Sequence, residues 1–106
     1  MFDKSTGKSA SRALEKYRKL TDAFLHVSIR TRREVLFEGE VFSLSSFNTL
    51  GEFAVLPKHA NFISLIHDKV ILDKGTTSEQ IFEIGTGLIN VDDTGVSVYV
   101  GLGDSD

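Results

Sequence analysis

The chain has no cysteine, no tryptophan and a single proline, and no apolar run approaches the length of a membrane span. Without cysteine there can be no disulfide staple, thiol nucleophile or cysteine-ligated metal. That composition suits a reducing compartment. The longest apolar stretch, Phe62 to Ile66, falls far short of the ~20 residues a helix needs to cross a bilayer. The basic N-terminus also lacks the apolar core of roughly 7–15 residues that marks a secretory signal. What remains is a soluble globular chain of 106 residues. That length allows one domain around one core.

Charge is unevenly distributed. Residues 1–33 hold nine Lys or Arg against three Asp or Glu, whereas residues 34–106 hold three against twelve. The first segment is therefore at +6 and the second at −9, within a total of −3. The split predicts two parts in different surroundings. Residues 1–24 read as an N-terminal extension and residues 25–106 as the folded domain.

Within the extension, Ala10, Ala13, Leu14, Tyr17, Leu20 and Phe24 recur at helical spacing. Arg12, Lys16, Arg18 and Lys19 fall on the other side, so the spacing predicts an amphipathic helix capped by Ser9 or Ser11. Such a helix is marginal alone in water. Its apolar stripe should therefore dock either on this domain or on a partner, for which Leu14, Tyr17, Leu20 and Phe24 are the candidate contacts.

From Leu25 the period changes to two, and about nine short strands follow, broken by turns. Asn48-Thr49-Leu50-Gly51, Asp73-Lys74-Gly75-Thr76 and Asp92-Asp93-Thr94-Gly95 carry the residues that tolerate turn geometry. Gly85-Thr86-Gly87 divides two strand-like runs and suggests a bulge or a close strand approach. This pattern predicts an all-β, antiparallel β-sandwich of about 8–10 short strands with an added N-terminal helix. The proline falls between two apolar runs, where it must end a strand. Pro57-Lys58-His59-Ala60 is thus an exposed corner on a rigid scaffold, a usual place for recognition residues.

Catalytic and cofactor signals are weak. Gly7-Lys8-Ser9 lacks both the upstream glycine and the strand of a phosphate-binding loop. Gly85-Thr86-Gly87 lacks the third glycine and helix of a dinucleotide site. His26, His59 and His67 share no metal-ligand spacing, so neither a metal nor another cofactor is expected. A triad assembled in space remains open, and a histidine-dependent hydrolase is the weakest reading. Arg30-Thr31-Arg32-Arg33 is a compact basic cluster at a hairpin. The acidic remainder, without aromatic stacking pairs at strand spacing, argues against nucleic acid.

Three ordered segments carry a family likeness. Glu34-Val35-Leu36-Phe37-Glu38-Gly39 follows an alternating first strand. Gly51-Glu52-Phe53-Ala54-Val55-Leu56-Pro57-Lys58-His59-Ala60-Asn61-Phe62-Ile63-Ser64 is similar to a segment written GELGILPGHAPLLT, and Ile84 to Val91 to one written SGGFLEV. Over Leu25 to Leu102 the chain resembles the N-terminal β-sandwich of the ε subunit of F-type ATP synthases, called δ in mitochondria.

The resemblance implies a non-catalytic subunit of the central stalk that couples rotation of the c-ring to the γ subunit and the catalytic head. It implies no cofactor, no obligate homo-oligomer, and a peripheral place on the cytoplasmic side of a bacterial inner membrane, with the mitochondrial matrix as the alternative. Gly51, Glu52 and Phe53 match the loop that faces the c-ring, where basic residues are expected. Thr31, His59 and Ser64 match positions that contact γ. Lys58 stands where the family has glycine, Asn61 where it has proline, and Ala54 in place of a second glycine. The family's C-terminal helical hairpin has no counterpart before Asp106. The alternative is a stand-alone interaction domain that reuses the same sandwich.

Overall fold

The structure, a computed structural model, describes residues 24–101. The predicted helix, with Leu14, Tyr17 and Leu20, lies outside the described residues. Within them the chain is all β. Its strands are β1 (Leu25–Arg30), β2 (Val35–Val41), β3 (Leu44–Asn48), β4 (Gly51–Val55), β5 (Phe62–Leu72), β6 (Gln80–Asp92) and β7 (Gly95–Val100). They form one sheet in the order β2-β1-β7-β6-β5-β3-β4.

Seven strands replace the 8–10 expected, because two apparent interruptions are bends inside long strands. Asp68 on β5 pairs with Gly85 on β6, and the register shifts at this point. Both residues take left-handed backbone angles, φ 74° at Asp68 and φ 71° at Gly85. Hydrogen bonding continues on either side of the kink, so the strands bend without ending. Two residues on, a Cβ at Gly87 would lie 2.8 Å from the Tyr99 carbonyl oxygen, which excludes any larger residue. The Gly-Thr-Gly run thus provides both the bulge and the close strand approach. The expectation of an antiparallel sheet also needs one correction: β1 and β7 pair in parallel, Val27 with Val96 through Arg30 with Tyr99.

The bend divides the long hairpin between two halves of the sheet. Residues 87–92 of β6 pair with β7, whereas β3 pairs with residues 67–72 of β5. Strand spacing would separate β2 from β6 by about 14 Å in a flat sheet. Yet the rings of Phe37 on β2 and Phe82 on β6 lie 6.1 Å apart, edge to face. The sheet therefore folds over on itself. Leu25, Val27 and Ile29 of β1, Ile89 and Val91 of β6, and Val96 and Val98 of β7 meet Leu44, Val55, Val70 and Leu72 from the other half in one buried cluster. Every described strand adds at least one side chain to this cluster, which ties both halves to one core.

Candidate protein-contact surface

The β3–β4 turn is shaped by Asn48. Its Oδ1 accepts the Leu50 N–H at 2.9 Å, and its Nδ2 donates to Ser64 Oγ at 3.3 Å. The turn projects Leu50, which is 94% exposed. Beyond it, Glu52 faces outward and its carboxylate accepts a charge-assisted hydrogen bond from Lys74 Nζ. The Phe53 ring instead packs edge to face on Phe62, 5.9 Å between centroids, and against the core. Of the three residues of this segment, Glu52 and Gly51 are thus the accessible ones.

The Pro57-Lys58-His59 corner closes one end of the domain. Lys58 has φ 65°, the left-handed region that favours glycine. Nδ1 of His59 is buried without a hydrogen-bond partner. Beside it opens a groove of about 320 Å³, bordered by His26, Glu40, Lys58 and the β6–β7 turn. In that turn the Thr94 hydroxyl and amide both donate to Asp92 Oδ1, at 2.6 and 2.9 Å. These bonds hold the Asp92 carboxyl below its ordinary value, with smaller help from the Gly95 amide and from His59.

Thr31, His59 and Ser64 do not converge. Thr31 lies past the end of β1, where its Oγ1 accepts the N–H groups of Arg33 and Glu34, both at 3.1 Å, and builds the hairpin turn. His59 borders a groove with Leu25 and His26, at the start of that strand. The six-residue β1, a strand about 17 Å long, runs between these two positions. Ser64 lies between Phe62 and Ile66 on the core-facing side of β5, alternating with the exposed Ile63 and Leu65, and its hydroxyl donates to the Leu65 carbonyl at 3.0 Å. The histidines are dispersed as well. His26 lies between Glu38 (3.0 Å) and Glu40 (3.3 Å), while His67 pairs with Asp68 at 3.3 Å. Among the described residues no group of three or more His, Asp or Glu side chains is placed to hold a metal.

A surface not singled out from sequence lies on the outer face of the half containing β1 and β7. Register aligns Leu65, Leu88, Tyr99 and Arg30 in one row across four strands. The adjoining row is Ile63, Asn90, Ser97 and Ser28. Leu65 and Ile63 are 69% and 66% exposed, and Tyr99 is 38% exposed. The face is apolar along β5 and ionic along β1 and β2, where Arg30 donates to Ser28 Oγ at 3.0 Å and approaches Glu38 at 3.9 Å. A signal for it existed. The run Phe62-Ile63-Ser64-Leu65-Ile66 is apolar on both parities, so one strand carries apolar residues on both faces. The core covers only one of them.

Residues 24–101 match the family described as ATP synthase, Delta/Epsilon chain, beta-sandwich domain. The ATP synthase epsilon chain of Sulfurovum sp. (strain NBC37-1) is 36% identical over 70 residues, which cover 65% of this chain and 55% of that protein. The epsilon chain of Caulobacter vibrioides is 29% identical over 76 residues, covering 72% of this chain and 88% of that one. In solved structures, a chain of the Euglena gracilis mitochondrial ATP synthase (OSCP/F1/c-ring) superposes with a TM-score of 0.66 at 18% identity, over 74% of this chain and 51% of its own. A chain of the Tetrahymena thermophila mitochondrial ATP synthase central stalk and c-ring gives 0.56 at 12% identity, over 71% and 61%. These structural likenesses concern the fold. The chain spans little more than half the length of the Sulfurovum relative and most of the length of the Caulobacter one.

Proposed function

The chain belongs to the ATP synthase delta/epsilon β-sandwich family, and from that premise we propose that it is a non-catalytic subunit of the central stalk of a rotary F-type ATP synthase. In this reading it couples rotation of the c-ring to the γ subunit and the catalytic head. It sits peripherally, on the cytoplasmic side of a bacterial inner membrane. The observation that carries the reading is the apolar face through Ile63, Leu65 and Tyr99, with half-buried Leu88 between them, which lies outside the core formed by the described residues. A stable protein contact buries ~800 Å² on each partner, and one sheet face can supply it.

A coupling element must pass on torque without deforming, and a close-packed core suits that task. The apolar face is assigned to γ, with Thr31 and the His59 corner at its two ends. The Gly51-Glu52 turn is assigned to the ring, where its carboxylate would meet basic side chains. The extension residues Leu14, Tyr17 and Leu20 would add a further contact. Phe24 itself lies against Phe42, with 5.0 Å between the centroids of the tilted rings.

Co-expression with the γ subunit of the same organism tests the assignment. The unaltered chain should co-purify with γ. Leu65→Arg or Ile63→Glu should abolish recovery while thermal unfolding stays unchanged, since both side chains are about two-thirds exposed. If the unaltered chain fails to co-purify, the stand-alone interaction domain becomes the better description.

A further inference from the structure

The carboxylate assigned to the ring is already occupied from within the chain. Glu52 on β4 is paired with Lys74 from the β5–β6 loop, 22 residues away in sequence. The pairing is supported by a loop that is itself pinned. Asp73, immediately before Lys74, is buried, and its Oδ1 accepts the N–H groups of Phe42 (2.6 Å) and Ser43 (3.1 Å). Its own N–H donates to the Ser43 carbonyl at 3.0 Å. On the other side, the Gly75 N–H donates to Glu79 Oε1 at 2.7 Å, and the Thr76 hydroxyl donates to the Asp73 carbonyl at 2.8 Å. The backbone that carries Lys74 is therefore fixed on both flanks, which aims the ammonium group at Glu52.

We propose that Lys74 is an internal competitor that holds the Glu52 carboxylate and yields it to a guanidinium group of a partner loop. This rests on the reading of Glu52 as the ring-facing residue. Both side chains are partly exposed, 41% for Glu52 and 48% for Lys74. An exposed ion pair of this kind is weak enough to exchange. Lysine is a point charge, whereas arginine presents a planar fork that binds a carboxylate through two parallel hydrogen bonds. An arriving arginine therefore displaces Lys74 with a net gain. An arriving lysine only exchanges one point charge for another. Lys74 thus lowers the affinity for every basic partner and selects for those that offer arginine. While the carboxylate is not engaged by a partner, the same pair neutralises it.

The test uses the purified full-length chain added back to its ATP synthase complex depleted of this subunit, with the apparent Kd as readout. Lys74→Met, which keeps the aliphatic stem, should tighten binding about two- to fivefold. Glu52→Gln should weaken it, and the double variant should bind like Glu52→Gln, because Lys74 has then lost its target. Lys74→Arg should bind no more tightly than the parent. Thermal midpoints of the variants establish that each is folded. If Glu52→Gln weakens binding but Lys74→Met leaves it unchanged or weaker, the competitor role is overturned and the ring-facing assignment stands. If Glu52→Gln has no effect, the assignment and the inference both fall.

Discussion

Two residues show how single side chains set this domain's behaviour. Lys58 adopts φ 65°, a conformation in which an L side chain crowds its own carbonyl. The corner needs this angle to turn from β4 towards β5, and glycine adopts it without the clash. Lys58→Gly should therefore raise stability by about 1 kcal/mol, read as a higher urea midpoint. Asp73 does the opposite kind of work: one buried carboxylate satisfies two backbone N–H groups of the β2–β3 connection and also takes the Ser78 hydroxyl at 3.3 Å. Asp73→Ala leaves those donors without their acceptor and should cost about 2–3 kcal/mol. The same loss should weaken the placement of Lys74, the next residue.

At the scale of elements, the decisive feature is that β5 and β6 bend together. A kink in one strand alone would break the ladder; paired kinks at Asp68 and Gly85 preserve it. Gly85→Ala puts a Cβ on a residue at φ 71° and should lose about 1 kcal/mol, again seen in the urea midpoint. The β6–β7 hairpin carries a charge-dependent contribution. In the folded chain the Asp92 carboxyl titrates below its usual 3.8, so its stabilising effect is complete above that value. It disappears as the pH falls through the lowered folded value. Asp92→Asn should therefore lie below the parent in urea midpoint at neutral pH, and the two should converge on acidification.

At the scale of the whole molecule, the core formed among the described residues runs from Leu25 onward and draws on every described strand. A chain lacking residues 1–23 should unfold at the same urea midpoint as the full chain. A lower midpoint would mean that the extension packs on the domain. Much of this architecture is visible in the order of residues. The period-two alternation from Leu25 onward, the turn chemistry at Asn48 and Asp92, and the proline that ends β4 all act through near neighbours. Strand type and turn position are therefore local properties. The family segments around Gly51–Ser64 are equally local and identify the chain. Other features depended on which strands meet. Whether Gly85 ends a strand or bends it depends on Asp68 kinking opposite it. The parallel β1–β7 pair depends on two segments more than sixty residues apart. The row Leu65, Leu88, Tyr99 and Arg30, apolar at one end and charged at the other, exists only once four strands take one register. The hold of Lys74 on Glu52 likewise requires a loop that Asp73 anchors to the β2–β3 connection. Backbone preferences act over a few residues, whereas register, burial and ion pairing arise from contacts that only the closed sheet creates.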